Sequence, residues 1–259
     1  MFINLHSDAG GRKILETAEA EMDGQIAALR TMIENSDSIV FFGGAGVSTE
    51  SGIPDFRSTS GLYNQKYAYP PETILSHSFF MNNTEEFYRF YRDKMIHLNA
   101  KPNAAHFKLA ELESGGKLKA AVTQNIDGLH QAAGSICVHE LHGSVLRNFC
   151  MKCGAPYSAE HIMESAGVPR CCCGGIIKPD VVLYEEPLDA GVLDAAVRSI
   201  KDADVLIVGG TSLNVYPAAG LLRHYRGGKM ILINRSELPC EQAAALVIRG
   251  SIGEVMAQI

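Results

Sequence analysis

The sequence predicts an α/β fold: a parallel sheet with helices on both faces, interrupted by a smaller lobe. Three observations carry this reading. Short apolar runs alternate with amphipathic stretches along most of the chain, one run stops at a glycine-rich turn, and the alternation fails in two places. The 259 residues are 46% hydrophobic and 20% charged, an ordinary globular composition that suits one large core with a smaller one inserted.

The elements follow in order. Residues 12–35 place Leu15, Ala18, Met22, Ile26, Leu29 and Ile33 at steps of three and four, which predicts an amphipathic helix. Ile39-Val40-Phe41-Phe42 then reads as a buried strand ending at Gly43-Gly44-Ala45-Gly46. Helices are expected over 84–98, with Thr84 as the cap, and over 103–113, capped by Asn103. Strands are expected over 119–123, 136–141, 204–208, 230–233 and 245–248, and helices over 188–200 and 217–225, the latter with Pro217 near its first turn. Residues 58–100 and 143–180 break the pattern and are read as insertions forming the smaller lobe. The larger one takes 1–57, 101–142 and 181–259. A ligand is expected between them, at the carboxyl ends of the strands.

Net charge is −6, with acids and bases mixed; nothing marks a nucleic-acid groove or a membrane-binding face. The first ten residues lack the basic-then-apolar pattern of a secretion signal, so a cytoplasmic protein with reduced thiols is expected. Five of seven cysteines lie between Cys150 and Cys173, which in that compartment favours metal over disulfides. Cys150 and Cys153 form a Cys-x₂-Cys pair separated from Cys171 by 17 residues, a separation typical of a four-thiolate structural zinc site. Because Cys171, Cys172 and Cys173 are consecutive, the second pair is read as Cys171 and Cys173, with Cys172 as the alternative to Cys171.

After the first strand, Gly44, Ala45 and Gly46 are small enough for backbone N–H groups to approach a pyrophosphate, although Thr49 stands where the dinucleotide fingerprint has its third glycine. Glu50-Ser51-Gly52-Ile53-Pro54-Asp55-Phe56-Arg57 follows. Then come Thr123-Gln124-Asn125-Ile126-Asp127-Gly128-Leu129-His130, Glu140-Leu141-His142-Gly143 and Gly209-Gly210-Thr211-Ser212. Together these segments resemble the sirtuin family from about residue 38 to the C-terminus.

That resemblance implies a Rossmann-like doubly wound sheet with a zinc-binding and helical lobe. It also implies an enzyme that consumes NAD to deacetylate protein lysines, releasing nicotinamide and moving the acetyl group to ADP-ribose. The same site would serve ADP-ribose transfer to protein or removal of longer acyl groups. Phe56 offers a flat apolar face to shield a reactive ribose carbon, and Arg57 a fixed cation for phosphate. By resemblance, Ile126 and Asp127 hold the nicotinamide carboxamide, Gln124 and Asn125 contact its ribose, and His142 is the base. Asn125, Asp127 and His142 are thus the expected catalytic set. Gly210, Thr211 and Ser212 close a strand where phosphate and ribose can be reached; by resemblance Asn234 meets the adenine ribose and Ile252 lies near adenine.

The resemblance also makes Val181, Val182, Leu183 and Tyr184 one edge of a groove for an extended acetyl-lysine peptide, opposite the loop holding Leu213 and Asn214. Many relatives have Phe-Gly-Glu where this chain has Tyr184-Glu185-Glu186. Relatives that remove succinyl groups carry a Tyr-x-x-Arg pair. Here Tyr88 matches the tyrosine but Tyr91 stands at the arginine position, and Arg92, one residue on, is turned about 100° around a helix, so acetyl is favoured.

Overall fold

A run that is apolar on both faces, as Ile39–Phe42 is, needs a sheet covered from both sides. The computed structural model describes residues 9–56, 61–64 and 67–259, and the side chains of these outside 9–18 and 64. Its strands are β1 Ile39–Gly43, β2 Leu118–Thr123, β3 Val138–Glu140, β4 Gly143–Cys150, β5 Pro156–Ser158, β6 Ile177–Val181, β7 Val205–Gly209, β8 Lys229–Ile233 and β9 Leu246–Ile248. Its α-helices are α1 Ala9–Glu34, α2 Pro71–Ile74, α3 His77–Asn82, α4 Thr84–Lys94, α5 Ala104–Ser114, α6 Leu129–Ala132, α7 Ala159–Glu164, α8 Ala190–Asp202 and α9 Ile252–Met256.

The main sheet is parallel, in the order β3-β2-β1-β7-β8-β9. The chain winds outward from β1 to one side through β2 and β3, then returns to β7 and winds to the other. The order therefore reverses between β1 and β7, and a crevice opens at their carboxyl ends. Side chains alternate between faces along β1. Phe41 joins Ile26, Leu29 and Ile33 of α1, Leu109 of α5 and Val255 of α9. Phe42 joins Ala196 and Ile200 of α8 and Leu221 on the other face.

The two stretches that broke the pattern share a third core. Phe79 and Phe80 of α3 and Phe87, Tyr88 and Tyr91 of α4 pack with Ile162 of α7 and Ile177 of β6. Its small antiparallel sheet has the order β5-β4-β6. Phe87 and Tyr91 stack at 5.3 Å and 15°, one helical turn apart.

Local differences from the sequence reading have physical causes. The helix expected over 84–98 ends at Lys94, and Asn83, not Thr84, holds the capping position; the Thr84 hydroxyl instead donates to the Phe80 carbonyl at 2.7 Å. Residues 218–224 wind as a 3₁₀ helix rather than α, with the Gly220 N–H on the Pro217 carbonyl at 2.9 Å, the three-residue step of the tighter coil. The strand expected over 136–141 shrinks to β3 because Ile136 points into solvent, 90% exposed. Asn103 caps α5 as expected: its Oδ1 accepts from the Ala105 N–H at 3.0 Å, while its own N–H donates to His106 Nδ1 at 3.2 Å. No described helix is long and apolar enough to cross a membrane.

Candidate active site

A cleft of ≈ 640 Å³ lies at the carboxyl ends of β1, β2, β7 and β8, bordered by Lys94 at the end of α4 and by the segment after β6. That volume is within the usual range for ligand sites, about 300–1,000 Å³. Gly44, Ala45, Gly46, Thr49, Phe56, Gln124, Asn125, Ile126, Asp127 and His142 line it. So do Val181, Val182, Leu183, Tyr184, Gly210, Thr211, Ser212, Asn234 and Ile252. Residues as far apart in the chain as Gly44 and Ile252 thus face one space. Arg57 lies outside the described residues. Leu213 and Asn214 do not face the cleft: Leu213 is buried in the core against α8, with φ 55°, and Asn214 is exposed, while Val215 and Tyr216 of the same loop reach the cleft.

Ser48, which sequence reasoning missed, organises the centre. Its hydroxyl donates to Asp127 Oδ2 at 2.6 Å and accepts from Asn125 Nδ2 at 3.0 Å, and it is almost wholly buried. Asp127 Oδ1 takes the Leu129 N–H at 2.9 Å, and the Asn125 N–H donates to Thr123 Oγ1 at 3.0 Å. These bonds pin both polar side chains just beyond β2. A second chain runs towards β8: Gln124 Nε2 donates to Thr211 Oγ1 at 3.1 Å, and the Thr211 N–H to Asn234 Oδ1 at 3.2 Å. The signal for Ser48 was its place directly after a glycine turn; its partners lie 77 and 79 residues away and are invisible to local reading.

His142 follows β3. Its Nδ1 lies 3.0 Å from the Gln124 carbonyl oxygen. A carbonyl only accepts, so Nδ1 carries the proton and a neutral ring keeps its lone pair on Nε2. Burial pushes the imidazole below its ordinary pKa, against the opposing pull of the Gln124 carbonyl, which favours the neutral, proton-accepting form at pH 7. Gly143 is required beside it: φ is +72°, and a Cβ there would sit 1.8 Å from the Asp180 carbonyl oxygen, so only glycine lets β4 meet β6 at this point.

The glycine turn departs from the expected phosphate cradle in one respect. The Gly46 N–H donates to the Gly210 carbonyl at 2.8 Å, and a Cβ on Gly46 would lie 2.7 Å from that oxygen. Its smallness therefore serves the contact between the turns after β1 and β7, bringing two loops of the cleft floor together.

Cys150, Cys153, Cys171 and Cys173 converge at the far side of the small sheet, with all four sulfurs within 4.8 Å of one another. Cys150–Cys173 and Cys153–Cys173 are 3.5 Å apart, and Cys153–Cys171 3.6 Å. A zinc ion about 2.3 Å from four tetrahedral sulfurs would set them about 3.8 Å apart, so the cage fits. Cys172 is exposed, outside the cage, with its sulfur 3.8 Å from that of Cys171. Four thiolates close the coordination shell, a structural rather than catalytic arrangement.

The aromatic run of α4 lies away from the cleft. Tyr88 donates to the Ile177 carbonyl, and Tyr91 is fully buried with a hydroxyl that has no hydrogen-bond partner among the described residues. Arg92 donates to the carbonyls of Ile162 and Gly167 at 2.7 and 2.6 Å, so its guanidinium is held against the zinc module.

The Sir2 family model matches residues 44–217, two-thirds of the chain and every segment just described from the glycine turn to the loop after β7. The chain belongs to the Sir2 family. The NAD-dependent protein deacetylases of Clostridium acetobutylicum and Clostridium perfringens are each 59% identical to this family member, covering 90% and 92% of it and 96% and 99% of their own length. Among solved structures, a Sir2 complex with a p53 peptide and NAD⁺ is 39% identical with a TM-score of 0.78, covering 88% of this chain and 94% of that one. A Sir2 variant with deacetylated p53 peptide and 3'-O-acetyl ADP-ribose is 39% identical with a TM-score of 0.83, covering 90% and 96%.

Proposed function

We propose that this chain is an NAD-dependent protein-lysine deacetylase whose acceptor is the ADP-ribose part of NAD. The observation that carries the reading is His142: a neutral imidazole, its Nδ1 proton held by the Gln124 carbonyl, in the same cleft as the Asn125–Ser48–Asp127 cluster. NAD, when bound, supplies the nicotinamide–ribose bond whose cleavage releases nicotinamide and leaves the ribose to take the acetyl group.

The chain's own residues do the rest. Asn125 and Gln124 orient the nicotinamide ribose through side-chain amides already pinned by Ser48 and Thr211. Asp127, held by Ser48 and Leu129, with Ile126 binds the carboxamide. Phe56 excludes water from the reacting carbon, and His142 Nε2 takes a ribose proton. Gly44, Ala45, Thr49, Ser212 and Arg57 hold the diphosphate, and Gly210, Thr211, Asn234 and Ile252 the adenosine. The acetyl-lysine peptide lies along Val181–Leu183 and the loop after β7. Zinc on Cys150, Cys153, Cys171 and Cys173 braces the smaller lobe, made of 58–100 and 143–180, and takes no part in the chemistry. A cytoplasmic site suits a protein that keeps five thiols reduced in one cluster.

The test is to incubate purified protein with an acetyl-lysine peptide, with and without NAD, and follow nicotinamide and free lysine by mass. Equal release that requires NAD, and falls about 10²–10⁴-fold in His142→Ala, is expected. Acetate released without NAD refutes the mechanism.

A further inference from the structure

The turn Tyr184-Glu185-Glu186 is unusual in two ways that bear on one contact. Glu185 has φ 76°, a conformation that favours glycine, and its carboxylate accepts from the Ser78 N–H at 2.8 Å and the Ser78 hydroxyl at 2.9 Å. Two hydrogen bonds to α3 thus hold a backbone that a glycine would adopt without cost. Tyr184 is fixed in turn: its N–H donates to the Leu75 carbonyl at 3.0 Å, and its carbonyl accepts from the His77 N–H at 2.9 Å. With both main-chain groups engaged by the smaller lobe, Tyr184 meets the cleft through its side chain. That side chain reaches across to Tyr63, hydroxyl to hydroxyl, at 2.6 Å.

Tyr63 stands at the other end of the segment that begins at Phe56. The Tyr63 N–H donates to the Phe56 carbonyl at 2.8 Å, the Leu62 N–H to the Asp55 carbonyl at 2.9 Å, and the rings of Phe56 and Tyr63 are 5.5 Å apart. Phe56, Tyr63 and Tyr184 all face the cleft. Tyr63 and Phe56 are thus joined both through the main chain and through their rings.

We propose that the Tyr63–Tyr184 hydroxyl pair ties Phe56, through Tyr63, to the peptide edge, making both tyrosines positioning residues for NAD. The proposal rests on the deacetylase reading only for the identity of the ligand. Phenylalanine at 184 keeps the ring and its packing and removes the tie, so the hydroxyl is the active part. One hydrogen bond between neutral groups is worth about fivefold in an equilibrium that depends on it.

The experiment is a double-mutant cycle on NAD⁺ affinity, measured by calorimetry without peptide, in Tyr63→Phe, Tyr184→Phe and the pair. Each single change is expected to weaken binding about fivefold, with the double variant no weaker than either, because both remove the same bond. The Michaelis constant for NAD should rise in step, with the melting temperature unchanged. Singles within twofold of wild type, or effects that multiply in the double variant, overturn the tie. A wild type that binds NAD⁺ but frees no lysine would sink the deacetylase reading while leaving this cycle intact.

Discussion

Replacing Ser48 by alanine removes two hydrogen bonds at once from the centre of the cleft. The bond to the Asp127 carboxylate is 2.6 Å and the one from Asn125 is 3.0 Å. A bond to a charged group contributes about 1.5–3 kcal/mol and one between neutral groups about 0.5–1.5, so the pair amounts to about 2–4.5 kcal/mol. Water from the cleft can occupy the vacated space and recover part of that sum, but it cannot hold the two side chains at a fixed spacing. Stability should therefore fall by about 1 kcal/mol in urea unfolding, whereas kcat/KM for NAD at saturating peptide should fall about 30- to 200-fold, equivalent to about 2–3 kcal/mol of lost transition-state stabilisation. Both quantities come from the same preparation. A kcat/KM within threefold of wild type would mean that Asn125 and Asp127 keep their positions without the serine, and the account of the site's organisation would fail.

Metal analysis should find about one zinc per chain; Cys150→Ser or Cys171→Ser should lose it and lower the melting temperature, while Cys172→Ser keeps it, and a Cys172→Ser protein without zinc would place the ion on other thiols. The buried pair His106–His130, with ring centroids 4.9 Å apart, should make the protein acid-sensitive. Burial, with His106 adding to it, pushes His130 down to about 3, and neither of its ring nitrogens has a hydrogen-bond partner among the described residues. The unfolded chain takes up that proton below about pH 6.5 and the folded one only near pH 3, so stability is full above about 6.5 and falls by about 1.4 kcal/mol per unit as pH drops through that window. His130→Leu should lose about 2 kcal/mol less than wild type between pH 7 and pH 5 in urea titrations, and equal losses would exclude His130 as the source.

Much of this protein was legible before any coordinates, for reasons that are local. Strands β1, β2, β7, β8 and β9 and helices α1, α5 and α8 are long or apolar enough for their period to show. The segments that carry the family resemblance are contiguous, so Asn125, Asp127 and His142 could be named as the expected catalytic set from short runs of sequence. The clustering of cysteines pointed to a cage because spacing alone limits what thiols can share an ion. Tertiary structure decided what depends on residues far apart in the chain. Short elements such as α2, α3, α7 and β5 have no period to read and are held by the core they share, through Ile74, Phe79, Phe80, Ile162 and Tyr157. Ser48 acquires its role from Asn125 and Asp127, and Tyr63 from a partner 121 residues away. The choice of Cys171 over Cys172 for the cage follows from which sulfur the backbone turns inward, and Leu213 leaves the cleft because the core beside α8 has room for it. Sequence specifies which groups are available and, through periodicity, which face each element buries; the packing of those faces sets the distances between groups, and hydrogen bonding and metal binding depend on distance.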